Sequence, residues 1–245
     1  MPVRRTLTAA LATLTAAGTQ DVIRPEGRKD TRINIGPDQN RIRGKKVETI
    51  AAQVPAAVSE RGTLRLGASA DASPPLGFYA TDDRIRIGSE TDLVTLIVDT
   101  PGLMPEFEQV SWENLFGGVD NSKSDGVLSD VTVTEERKEK YDVATYRLDN
   151  TAFEARKGSG WKVRGPADVA GKTVSVASGA GDGLQGKIAA TTKRGSGPAE
   201  AYGAAIDHII QDGSYAEVLK RRWGLSDEAV EKSEINPPGL PKTEN

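Results

Sequence analysis

"SDVTVTEERKEKYDVATY", residues 129–146, decides how this chain is read. The alternation in "DGVLSDVTV" predicts a strand. Thr134 then stands where a helix N-cap belongs, with Glu135 and Glu136 in the positive first turn. This places Thr132, Thr134 and Arg137 near the carboxyl end of a strand, where open α/β sheets bind ligands. Hydroxyls, first-turn amides and a guanidinium together make a receptor for a carboxylate or a phosphate. By spacing alone, the same residues also describe an N-cap followed by a solvated arginine.

The neighbouring stretches supply the rest of a sheet. "GTLRLGAS" predicts a short buried strand leading into the loop "ADASPPLGFYATDD", which Pro74 and Pro75 stiffen. "SETDLVTLIVDTPGL" is ambiguous. Its β-branched residues favour a strand, while its length and Asp92 favour a helix stopped by Pro101 and Gly102. "FEQVS" is a strand. Ser111 is placed to cap "WENLFGGVDN", where Trp112, Leu115, Phe116 and Val119 fall on one helical face. Strands alternating with helices predict a parallel α/β sheet. "PAEAYGAAIDHIIQDG" and "SYAEVLKRRWG" predict two further helices, the second running from a Ser214 cap to Gly224, with apolar faces closing over that sheet.

The ends carry less structure. Residues 1–19 place Arg4 and Arg5 before an Ala/Leu/Thr run, the order of an export signal, with a disordered tail as the alternative. Thr19 stands where a lipid-anchor cysteine would be expected, so no lipid anchor is expected there. Residues 20–60 read as a solvated tether and a short lead-in helix ended by Pro55, and residues 236–245 as a tail.

Several functions are disfavoured. A net charge of −3 over 245 residues and a pI near 5.4 argue against nucleic acid as a partner. With no cysteine and one histidine, the chain has no disulfide, thiolate zinc site, cysteine nucleophile or two-histidine metal site. A serine triad would have to use His208, which sits among Ile206, Ile209 and Ile210 on a predicted helix. "GDGLQGKI" nearly spells a phosphate-binding loop, but Ile188 replaces the Mg²⁺-holding hydroxyl and "IAATTK" alternates like a strand. No carboxylate pair is placed for acid–base work, so neither an enzyme nor a cofactor is expected.

Four stretches in order, "GTLRLGASADASPPLGFY", "VSWENLFGGVDNSKSDGVLSDVTVTEERKEKYDVATY", "GPADVAGKTVSVASG" and "GSYAEVLKRRWGL", resemble the polar amino-acid-binding proteins of bacterial ABC importers, solute-binding protein family 3. The resemblance covers most of residues 60–225 and implies an α/β, periplasmic-binding-protein-like (type II) two-lobe clam. Lobe 1 would comprise residues 61–150 and 198–235, and a reduced lobe 2 residues 151–197. It also implies an exported, monomeric, non-enzymatic receptor that takes a free amino acid to an ABC permease. By resemblance, Arg137 grips the ligand α-carboxylate with Thr132 beside it. Asp130 offers its backbone to the ammonium, with its carboxylate as a replacement counter-charge. Trp112 packs on the ligand side chain, Asp71 and Ser73 form the near wall, and Ser178, Gly179 and Ala180 complete the carboxylate site from lobe 2. Between "KTVSVASG" and "GKIAATTK" the family's usual helix, strands and ammonium-pairing aspartate are missing. Lobe 2 is therefore expected to keep only strands near "AFEARK", "TVSVAS" and "KIAATT". The alternative is a shortened relative that has lost ligand binding and serves as an interaction domain or remnant.

Overall fold

The computed structural model describes residues 34–70, 74–150, 156, 158–163, 166–173 and 185–242. Val47, Ile50 and Val54 form the apolar side of a short helix, α1 (Glu48–Ala51). A second helix, α2 (Ala56–Arg61), ends at Gly62 in the left-handed region, φ 71°. Leu64, Leu66 and Ala68 then bury one side of β1 (Thr63–Ser69). A small hairpin, β2 (Phe78–Tyr79) and β3 (Arg86–Ile87), leads into α3 (Ser89–Asp99) and β4 (Met104–Val110). A 3-10 turn (Trp112–Asn114) opens into α4 (Leu115–Asp120), followed by β5 (Gly126–Val127), the one-turn helix α5 (Glu135–Lys138) and β6 (Tyr141–Asn150). The chain returns through β7 (Gln185–Lys193) into α6 (Pro198–Gln211) and α7 (Ser214–Glu217), which runs on as a π-helical stretch (Val218–Trp223) to Gly224.

The main sheet has the order β4-β1-β5-β7-β6. β1 is parallel to β4 and β5, while β7 is antiparallel to both β5 and β6. The sheet is therefore mixed, where strand–helix alternation predicted a parallel one. The reason lies in the connection. β6 carries the chain out of the sheet and β7 brings it back alongside, and adjacent strands joined this way run in opposite directions. "KIAATT", expected in the second lobe, lies in this sheet instead, because Ile188 and Ala190 are buried in the main core. Only residues 151–184 remain for a second lobe, and the strands expected near "AFEARK" and "TVSVAS" fall almost wholly outside the described residues.

The ambiguous run is the helix α3, with every residue buried. Its β-branched residues are tolerated because Leu93, Leu96 and Ile97 pack in one cluster with Ile206, Ile209, Val218 and Leu219, and a helix enclosed on all sides can be apolar all round. Gly88 opens it at φ 128°, where an added Cβ would stand 2.0 Å from the Leu76 carbonyl oxygen, so glycine is required. Asp92 accepts from Arg41 Nε at 2.9 Å and Trp223 Nε1 at 2.9 Å. Asp99 accepts both prongs of the Arg43 fork at 2.6 Å. Part of the expected tether thus lies against α3, because its arginines answer the acids of a buried helix.

Three smaller differences concern ends. Ser111 makes no capping bond and instead takes a hydrogen bond from Asn114 Nδ2 at 2.9 Å. Gly213, in the left-handed region, holds the N-cap position expected of Ser214. Much of the expected C-terminal tail is ordered structure. Ile235 bridges to Ala144 on the outer edge of β6, and Leu240 bridges to Thr134 in the segment before α5.

Candidate functional site: an arginine on an aromatic floor

The segment before α5 continues the sheet without being a formal strand. Val133 N donates to Lys187 O at 2.8 Å, and Ala189 N donates to Val131 O at 3.0 Å. Thr134 then caps α5, its Oγ1 accepting from Arg137 N at 3.1 Å. The capping role read from the sequence is present. The helix is a single turn, however, so its contribution to an anion site is small.

What Arg137 gains in its place is a floor. Its guanidinium carbon lies 5.6 Å from the Trp112 ring centre and 5.3 Å from that of Phe116. Those rings meet edge to face at 6.3 Å, and Phe116 rests on Tyr141 at 5.1 Å. Tyr141 OH donates to Asp120 Oδ1 at 2.9 Å, and burial with that bond pushes its pKa up to about 12. Arg137 Nη1 donates to the Thr132 carbonyl at 2.7 Å, which fixes the direction of the fork. Among the described residues no carboxylate lies within 4 Å of the guanidinium. Burial draws its pKa below the ordinary arginine value, while Glu136 pulls the other way. A half-buried cation on two rings, with donors left over, is arranged to take an anion.

Asp130 plays a different part. It is a non-glycine residue at φ 55°, held there from two sides. Its N–H donates to Glu90 Oε1 at 2.6 Å, and its carboxylate is ion-paired to Arg147. Arg147 is 1% exposed and also meets Glu228 Oε2 at 2.7 Å and Asp149 Oδ1 at 3.4 Å. Tyr146 OH donates to the same Glu90 oxygen. Burial, then the Asp130 charge, raise the Glu90 pKa to about 7, with Arg147 and the two hydrogen bonds opposing. Burial raises the Asp130 pKa as well, against the pull of Arg147.

The structure therefore brings Trp112, Thr132 and Arg137 together and engages the Asp130 carboxylate with Arg147. Asp71, Ser73, Ser178, Gly179 and Ala180 lie outside the described residues. Sequence reasoning missed Phe116, Glu90, Tyr146 and Arg147. Phe116 was visible as part of the α4 apolar stripe, and Arg147 as a lone cation in the apolar run "VATYRL". Lys187, from the near-phosphate loop, sits on β7 and pairs with Glu234. His208 lies 3.8 Å from Asp212 on α6. A cavity of about 310 Å³ beside β4 and α4 is lined by Glu108, Asn114, Gly118 and Ser124 and includes neither Trp112 nor Arg137. Among the described residues no group of acids and histidine is placed to hold a metal, and no helix is long and apolar enough to cross a membrane.

The chain is similar to known proteins. It is 29% identical over 123 residues to the L-cystine-binding protein TcyJ of Escherichia coli (strain K12), covering 50% of this chain and 46% of that protein. It is 25% identical over 118 residues to the L-cystine-binding protein TcyA of Bacillus subtilis (strain 168), covering 48% and 43%. The matches thus span about half the length of these curated relatives. A crystal structure of a mutant of ArgBP from T. maritima superposes with a TM-score of 0.54 at 18% identity, over 68% of this chain and 97% of that one. The shared architecture is the α/β type II periplasmic-binding-protein-like fold. Residues 64–226, from β1 through the π-helical turn, carry the family pattern, and the chain belongs to the bacterial extracellular solute-binding proteins, family 3.

Proposed function

We propose that this chain is the extracytoplasmic solute-binding component of an ABC importer and holds a small amino acid by its α-carboxylate on Arg137. The observation that carries this reading is the state of that guanidinium. It is stacked on Trp112 and Phe116, aimed by the Thr132 carbonyl, and has no carboxylate within 4 Å among the described residues. A bidentate guanidinium–carboxylate pair in a partly dry site is the chemistry such a receptor requires. The ligand ammonium is assigned to the Asp130 backbone carbonyl and to the negative field of Asp130, whose carboxylate is already shared with Arg147. Asp71 and Ser73 supply the near wall, and Ser178, Gly179 and Ala180 the opposite one. The receptor is exported, monomeric and non-enzymatic, delivers its ligand to a membrane permease, and uses no cofactor.

One observation favours a second reading, a shortened relative that no longer closes on a free amino acid. The chain leaves the sheet at Asn150 and re-enters it at Gln185, so little remains to build a second wall. A thermal-shift screen with the common amino acids separates the two. A ligand at about a hundred times its dissociation constant adds roughly 2.7 kcal/mol of stability. Binding predicts such a rise for at least one amino acid and its loss in Arg137→Ala. No rise for any of them would favour the second reading.

A further inference from the structure

We propose that the C-terminal segment, residues 236–242, is a working part of the binding site: a brace that positions Arg137. This rests on the reading of Arg137 as the anion receptor. A four-residue helix has almost no stability of its own, because nucleation costs more than one turn returns. The place of Arg137 therefore depends on what holds its flanks: after it, the Lys138 and Lys140 carbonyls are bonded by Arg194, and before it stand residues 133–135. One side is held by β7, through Val133 N to Lys187 O. The C-terminal segment takes over next, at Val133 O and Glu135 N.

That second clamp is made by consecutive bonds. Leu240 N donates to Val133 O at 2.9 Å, and Glu135 N donates to Leu240 O at 2.9 Å. Gly239 N donates to Glu135 Oε1 at 2.8 Å, and Lys242 is ion-paired to Glu139. The Leu240 carbonyl thus satisfies a first-turn N–H of α5 that the helix itself cannot. Gly239 passes so close that an added Cβ would stand 2.7 Å from the Val133 carbonyl oxygen and 2.9 Å from Thr134 Cα. Thr134 is the residue whose hydroxyl takes the Arg137 N–H, and Thr132, just before the clamped pair, accepts from its guanidinium. The bonds to the brace and the bonds to Arg137 therefore share one short piece of backbone.

Two variants loosen the brace by different means. Gly239→Val forces the close approach apart, and Leu240→Pro removes the N–H that reaches Val133. Leu240→Ala keeps every backbone bond and serves as the control. The first measurement needs no ligand: amide hydrogen exchange of the full chain. Gly239→Val and Leu240→Pro are expected to raise exchange at least tenfold in peptides covering residues 128–140, with residues 63–69 and 198–211 unchanged and Leu240→Ala like the parent. Unchanged exchange at 128–140 in both variants overturns the proposal. The second measurement compares affinity for an L-amino acid, chosen from the thermal-shift screen, with affinity for its carboxamide. A brace that aims Arg137 predicts that the variants lose most of the parent's preference for the acid. Equal weakening of acid and amide overturns the proposal in favour of a purely structural role. If the parent binds neither compound while exchange at 128–140 still rises, the brace is upheld as the element that places Arg137, and it is the amino-acid reading that falls.

Discussion

Two arginines near the same segment are treated in opposite ways. Arg147 is almost wholly buried and meets three carboxylates, those of Asp130, Asp149 and Glu228. Its charge is more than answered: burial lowers its pKa, but the attraction of Asp130, Tyr146, Glu90 and Glu228 outweighs that and raises it. Arg137 is half-buried and meets rings and a carbonyl, and burial lowers its pKa. A cation closed off by acids stabilises the fold, while one left on an aromatic floor keeps bonding capacity for a visitor. Sequence type alone does not separate them, since both are arginines beside alternating apolar runs.

The contrast can be broken from either side. Arg147→Met is expected to do the most damage. Removing this buried cation leaves three partly exposed carboxylates unanswered, so the cost stays at or below the roughly 3–5 kcal/mol of a fully buried pair, read as a fall in urea midpoint. The loss should shrink at acid pH, where the stranded acids protonate, and a pH-independent loss would remove the electrostatic account. Arg137→Ala is expected to spare stability to within about 1 kcal/mol and to weaken amino-acid binding by about 2–5 kcal/mol, measured by calorimetry. Comparable losses of stability in both variants would erase the distinction.

Glu90→Gln sharpens the electrostatic side. Folding holds the Glu90 pKa near 7, above its ordinary 4.5, so the folded state keeps a proton that the unfolded chain releases. Stability from the neutral carboxyl is complete below about pH 4.5 and is lost as pH rises through 7. The loss is on the order of 3 kcal/mol. The amide oxygen introduced by this substitution can still accept from Asp130 N and Tyr146 OH, so the variant should show a flatter stability profile across that window. A residual slope of the same sign is expected from Asp130, whose pKa is also raised. An unchanged profile would show that Glu90 is not the titrating group. The smallest effect is expected of Trp112→Leu. It removes one ring from under Arg137, worth about 0.5–2 kcal/mol, and should appear as a modest rise in the dissociation constant with little change in melting temperature.

Much of the segment around Arg137 was legible because it is local. Thr134 as a cap, the i, i+3, i+4, i+7 stripe of α4, and Arg137 three residues after the cap are short-range patterns, and each is present. The α6 run was equally clear, with Pro198 opening it and Gly213 just past its end. What could not be read depends on partners far along the chain. The fate of "SETDLVTLIVD" turned on enclosure by α6 and the π-helical turn, and that of "KIAATT" on a place between β5 and β6. The Asp130 carboxylate pairs with Arg147, which follows a register shift in β6 that no periodicity announces. The basic stretch around Arg41 and Arg43 looked solvated because its acids, Asp92 and Asp99, lie fifty residues away or more.

The position of β7 has a consequence for how the molecule is made. It is the next-to-last strand in space, seated between β5 and β6, yet it is the last of the main sheet to be synthesised. Until residue 193 has emerged, β5 and β6 each expose an unpaired flank, and the main sheet cannot close. Such long-range pairing slows folding and favours late collapse. A newborn chain of this design would stay pliable until most of it is available, which is the condition in which a polypeptide can be threaded through a narrow translocation channel.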